Sequence, residues 1–282
     1  MIPAWLAYFD ALIAIVLVAV GILGAHFGAL APLFGFQLYL LGFFIAILGL
    51  IVSIIALLAT GLSPKRRRGL PRAIFAVIVC LIIVVPTVGI IVNKHKYPPI
   101  NDITTDTQKA PEFVHAQQLP GNLHRNMIYD AAKYAAVQIK GYGPVEPLKI
   151  NEPSNVTFQK VDIIAGEVPH WRLTYTNPKT RTIEGVATSN LFRFKDDFVI
   201  QVRPADAIAG AKPTVVSTAG PTADAGAAAA PEGAASLVEM RSKSRVGIGD
   251  LGVNYNRIQS FFRILKVHLH GVSPKTVPGA SG

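Results

Sequence analysis

The stretch that decides the architecture runs from Leu38 to Val92: LYLLGFFIAILGLIVSIIALL (Leu38–Leu58), then SPKRRRGLPR (Ser63–Arg72), then AIFAVIVCLIIVVPTVGIIV (Ala73–Val92). Two apolar runs flank a block of cations, Lys65, Arg66, Arg67 and Arg68, and a third run, Ala11–Ala31, precedes them. At ~1.5 Å rise per residue each run makes a helix about 30 Å long, the thickness of a bilayer's hydrocarbon core. Residues 1–96 therefore read as a three-helix transmembrane anchor. Residues 97–282 are long enough for one further domain with its own core.

The sequence carries a formal charge of +10 over 282 residues, with mean hydropathy +0.40. The charge is unevenly placed. Up to residue 96 there are seven Lys or Arg against Asp10, leaving 20 basic and 16 acidic residues for the remainder. No basic stripe interleaved with aromatics is left to form a nucleic-acid footprint, so nucleic acid is excluded as a partner. Five cations lie between the second and third runs and none between the first and second. By the positive-inside rule that second loop is cytoplasmic, which puts everything after Val92 outside, periplasmic in a bacterium. Trp5, Tyr8 and Phe9 sit where an interfacial aromatic belt would sit. Gly21, Gly24, Gly28, Gly42 and Gly49 suit close helix packing, and Pro86 predicts a kink in the third helix. His26 is the residue on which a transport component would rest, without a carboxylate partner in any run. The lone Cys80 falls inside the third run and forms no intramolecular disulfide.

Beyond the anchor the periodicity changes. A helix is predicted over Leu123–Ile139, capped by Asn122, carrying Ile128, Ala131, Ala132, Ala135 and Ile139 on one face and ending at Gly141. Strands follow at His170–Tyr175 and Thr182–Thr188, joined by a turn at Asn177–Thr180. Phe198, Ile200 and Val202 alternate with Val199, Gln201 and Arg203, as do Val238, Met240, Ser242 and Ser244 with Glu239, Arg241, Lys243 and Arg245. Between them, residues 204–235 are rich in Ala, Gly and Pro and read as a flexible insertion. Ile258, Phe261, Phe262, Leu265 and Leu269 predict a last helix over Tyr255–His270, with Asn254 as cap and Gly271 as stop, before a frayed tail at 273–282. The expected fold is α+β: three transmembrane helices, then an antiparallel sheet covered by two helices.

The segment Arg241-Ser-Lys-Ser-Arg245-Val-Gly247-Ile-Gly-Asp250-Leu-Gly-Val-Asn254 has two readings. Guanidinium forks, hydroxyls and a glycine-rich approach to a helix N-terminus can cradle an anion. Equally, Arg241 and Arg245 can pair with Asp196, Asp197 or Asp250 as an architectural clasp. The glycines match neither a P-loop nor a dinucleotide fingerprint, so no cofactor is expected. His268 and His270 stand two apart on a helix and cannot share a metal. A triad of Ser244, His170 and Asp197 has no nucleophile-elbow sequence behind it.

Three motifs together, Asp102-Ile-Thr104-Thr105-Asp106, Phe194-x-Asp196-Asp197-Phe198-x-Ile200 and Arg241-Ser242-x-Ser244-Arg245-x-Gly247-x-x-Asp250-Leu-Gly-x-Asn254-x-x-Arg257-Ile258, resemble the bacterial and plastid family called domain of unknown function 1499. The resemblance covers about residues 97–266 and implies a membrane-anchored domain, without supplying an activity. The expectation is a multi-pass protein of the bacterial inner membrane whose domain is a non-catalytic binding or assembly module of the cell envelope, with the lipid bilayer and an envelope protein or anionic ligand as partners. The alternatives are an enzyme acting on an anionic envelope substrate through Arg241, Ser242, Ser244, Arg245 and Asp250, and a transport component.

Overall fold

The computed structural model describes residues 2–61, 68–94, 97–205 and 235–270. Lys65–Arg67, Lys96, most of the 204–235 insertion, the Gly271 stop and the 273–282 tail lie outside them. The chain divides into two compact units, one of residues 1–96 with Ser189–Phe194, the other of the remaining residues from Tyr97 onward.

The first unit is built on α1 (Ile2–His26), α2 (Pro32–Gly61) and α3 (Leu70–Lys94). Pro3–His26, Pro32–Thr60 and Leu70–Asn93 are each long and apolar enough to cross a membrane. Alanines make the inner seam: Ala4, Ala7, Ala11 and Ala14 of α1 are buried against Ala46, Ala56, Ala73 and Ala76, while Leu48, Ile82 and Val85 point outward. Small residues let backbones approach where lipid supplies no hydrophobic drive between helices. A Cβ on Gly21 would lie 2.5 Å from the Gly35 carbonyl oxygen, and one on Gly42 2.9 Å from that of Ala14. Gly28 instead has φ +76° with open space around it and serves the turn after α1. The helix α3 runs through Pro86 as one element, and Asp10, outside the first apolar run, lies within α1.

Among its described residues the second unit carries six strands, β1 (Asp102–Thr104), β2 (Leu148–Ile150), β3 (Trp171–Asn177), β4 (Thr182–Thr188), β5 (Lys195–Pro204) and β6 (Ser236–Ser244). All pairings are antiparallel, in the order β1-β6-β5-β4-β3, with β2 also on β6 beside β1. The alternation read from the sequence puts Phe198, Ile200, Val202, Val238 and Met240 on one face, where they form the main core. Three helices pack with that core: α4 (Ala131–Tyr142), α5 (Ser154–Glu167) and α6 (Val253–His270). Gly185 in β4 has no Cβ to collide with the Phe198 ring, which stacks against Trp171 at 4.1 Å. The opposite face is covered not by an α-helix but by residues 105–130, which include short 3-10 turns at Ala116–Gln118 and Pro120–Asn122 and whose Phe113, Ala116 and Met127 bury Val199.

Two helix starts differ from the sequence reading. The predicted helix at Leu123 begins only at Ala131, where the Asp130 side chain accepts from Lys133 N–H at 3.0 Å and acts as the cap. It runs past Gly141, which lets the Pro98 ring come against it, and ends at Gly143 with φ +74°. Asn122 is buried, its amide committed to the sheet. Asn254 likewise lies inside α6; the cap is Asp250, whose carboxylate accepts from Gly252 N–H at 3.0 Å and Asn254 N–H at 2.6 Å. In both places an aspartate four residues from the expected cap, or beyond, holds the first free amides.

Candidate functional site

The motif residues gather at one end of β5 and β6, and strand alternation divides them between the two faces. Register pairs Asp197 with Lys243 and Val199 with Arg241 on one face, and Asp196 with Ser244 and Phe198 with Ser242 on the other.

On the face covered by residues 105–130, two carboxylates organise four cations. Asp102 accepts from Arg241 Nε and a terminal guanidinium nitrogen, both at 2.8 Å, and from Lys243 Nζ at 2.7 Å. Arg241 and Asp102 are both fully buried. The guanidinium also donates to the Pro111 and Met127 carbonyls and lies over the Phe113 and Tyr129 rings. Asp197, equally buried, accepts from Arg245 at 2.6 Å, Arg125 at 3.0 Å and the Asn122 amide at 3.0 Å. Charge-assisted bonds of this kind offset the desolvation of a buried carboxylate.

The α6 face holds a second closed set. Arg257 donates to Asp196 at 2.5 Å, Ser242 Oγ at 2.8 Å and Asn254 Oδ1 at 2.6 Å. Ser242 Oγ donates to Asn254 Oδ1, and the Asn254 amide donates to Ser244 Oγ at 2.9 Å. Burial pushes the Asp250 carboxyl up, against the pull of its two backbone hydrogen bonds. Ser242 Oγ is thus held by Asn254 and Arg257, and Ser244 Oγ by Asn254.

The remaining motif positions are structural. Thr104 N–H donates to the Gln138 side chain at 3.1 Å, Thr105 Oγ1 accepts from Met240 N–H at 3.0 Å, and Gly247, at φ +94°, offers its carbonyl to the Asn101 amide. The family model described as protein of unknown function (DUF1499) matches residues 102–265. The chain belongs to the DUF1499 family. No match was found among curated proteins or among solved structures.

The DUF1499 region thus contains all three motifs, and the structure sorts them. Arg245 meets Asp197 as the clasp reading expects, but Arg241 is held by Asp102 instead, and Asp196 belongs to Arg257 across the sheet. The set Arg241, Ser242, Ser244, Arg245 and Asp250 does not converge, because the serines and Asp250 lie on the α6 face and the arginines on the other. The paper triad of Ser244, His170 and Asp197 is divided by the sheet in the same way. Among the described residues no group of three or more His, Cys, Asp or Glu is placed to hold a metal ion.

Sequence reasoning missed Arg125, Asn122 and Glu184. Glu184, fully buried on β4, gathers the N–H groups of Val114 at 2.5 Å, His115 at 3.1 Å and Ala116 at 2.6 Å. No spacing announces such a carboxylate-to-amide contact across some 70 residues. Glu239 is another buried carboxylate, paired with Arg203. Burial pushes its carboxyl above the usual glutamate range, and Arg203 pulls it back only in part. A folded-state pKa that is raised means stability is present below the unfolded value of ~4.3 and falls as pH rises towards the folded one. Thermal melts of the purified chain should show that descent, and Glu239→Gln should flatten it; an equally steep descent in the variant would assign it elsewhere.

Proposed function

We propose that this DUF1499 protein is a non-catalytic binding or assembly module of the cell envelope, held at a bacterial inner membrane by α1–α3 with its sheet domain on the periplasmic side. One observation carries the reading: the charged and hydroxyl groups of the motif are spent on each other, so the motif is a clasp that fixes β1, β5, β6, α6 and the 105–130 segment together. A catalytic site keeps a nucleophile or base free for substrate, in reach of a proton it must move. Here Asp102, Asp196 and Asp197 each accept from guanidinium groups, and among the described residues no histidine neighbours Ser242 or Ser244 in their hydrogen bonding. The distribution of cations around the helices supports the orientation. What such a module holds is an envelope protein or an anionic molecule.

Asp197→Asn tests the clasp. Arg125 and Arg245 are 19% and 16% exposed at the side chain, so each can turn to water, and a loss of about 1–3 kcal/mol is expected in the melting of the full-length protein. Unchanged stability together with loss of an anionic molecule that co-purifies from native membranes would establish a binding site instead. A reporter enzyme active only outside the cytoplasm, fused after Gly282, should be active; activity confined to a cytoplasmic reporter would reverse the orientation.

A further inference from the structure

We infer that the loop from Val246 to Val253, which follows the clasp, dips into the lipid headgroup region of the membrane that carries the protein's own anchor. This goes beyond the binding role proposed above and does not depend on it. The loop's exposed side chains are all apolar: Ile248 is 83% exposed, Leu251 52%, Val246 44% and Val253 41%. Its one charged residue, Asp250, is turned inward to cap α6. A water-facing loop of eight residues is ordinarily polar, and an outward apolar set with its acid withdrawn matches a lipid interface.

Chain connectivity says which surface. The loop is pinned to residues 97–101: Asp250 N–H donates to the Ile100 carbonyl at 3.2 Å, and the Asn101 amide donates to that of Gly247. The backbones touch, since a Cβ on Gly249 would lie 3.1 Å from Pro99 Cα. A Cβ on Gly252 would lie 2.9 Å from the Tyr97 ring. Tyr97 follows Lys94, the last residue of α3, by three positions, a reach of at most ~11 Å. An interfacial segment sits ~5–10 Å into the boundary between headgroups and acyl chains. Tyr97, which packs on the loop at Gly252, is therefore tethered within the interfacial layer's range. Tyr97 stacks on Tyr142 at 5.5 Å and Tyr142 on Tyr255 at 4.7 Å, and tyrosines of this kind are enriched at membrane–water interfaces.

The test uses the full chain reconstituted into vesicles of phosphatidylcholine and phosphatidylglycerol. A nitroxide is attached at Ile248→Cys and, separately, at Ile163→Cys on α5, a position 64% exposed outside the loop; Cys80 is fully buried and does not compete for label. The expected result is relaxation by oxygen relative to a water-soluble nickel complex severalfold higher at 248 than at 163. Equal ratios at the two positions would overturn the inference. So would shielding of the 248 label from both agents that persists in detergent micelles and falls on dilution, which would place a second protein surface over the loop.

Discussion

Asp102→Asn is expected to unfold the sheet domain or bring it close to unfolding. Asp102 is fully buried and is the carboxylate for both Arg241 and Lys243. Arg241, on the central strand β6, has no exposed surface, and beyond Asp102 and the Phe113 and Tyr129 rings it has the Pro111 and Met127 carbonyls as partners among the described residues. Removing one member of a buried pair strands the other and costs ~3–5 kcal/mol, against a total stability of about 5–15 kcal/mol for a domain. Lys243, 9% exposed at the side chain against none for Arg241, is less affected, because its long flexible chain can turn its charge towards water. The measurement is near-ultraviolet circular dichroism of the full-length protein in nanodiscs, where Trp171, packed on Phe198 and Phe261, reports the core. A second variant joining Asp102→Asn to Arg241→Met removes both charges and should recover part of the loss. A single variant that melts like the native protein would mean that the Asp102–Arg241 pair does not hold the fold.

Glu184→Ala should have the next largest effect, by a different route. Its carboxylate satisfies three consecutive backbone N–H groups, those of Val114, His115 and Ala116, which lead into the 3-10 turn Ala116–Gln118 and so have no carbonyl of that turn to bond. Each buried donor left without a partner costs ~1–3 kcal/mol. The loss should fall first on that segment, so hydrogen exchange at residues 114–116 is expected to accelerate by orders of magnitude while amides of β5 accelerate least. Phe113 and Ala116 would then stop covering Val199, and thermal stability should drop by about 3 kcal/mol or more. Exchange at 114–116 unchanged from the native protein would show that other groups hold the segment down.

These two carboxylates also mark how far the sequence could be read. The membrane helices were legible because ~20 apolar residues in a row leave no other economical reading. β4 was legible to its ends, Thr182 and Thr188, because β-branched residues and a turn bound it. Alternation and adjacent strands offered Asp196, Asp197 and Asp250 as partners for Arg245, and the structure takes Asp197. Asp102 did not, because β1 is three residues long and meets β6 from 139 positions away. The helix α5 was passed over although Ser154, Thr157, Phe158, Val161, Ile164 and Ala165 form a regular buried stripe: it opens on a serine and a threonine, so its apolar signal starts late. Asn122 looked like a cap because capping residues and buried amide bridges share one chemistry.

The position of β6 in the sheet sets an order for biogenesis. This strand pairs with β1, β2 and β5, yet it is the last of the six to be synthesised. The β3–β4–β5 meander can zip locally as soon as it emerges, whereas β1 and β2 have no partner until residues 236–244 arrive. Contacts this distant in sequence make folding slow relative to local hairpins. On the membrane reading proposed above, α1–α3 enter the bilayer while the domain behind them is still a half-sheet, with one side of β5 open. Such an edge is a template for pairing with other chains. A stall or truncation before Ser236 would leave a tethered, aggregation-prone nascent chain at the membrane, and that interval is where a chaperone has something to protect.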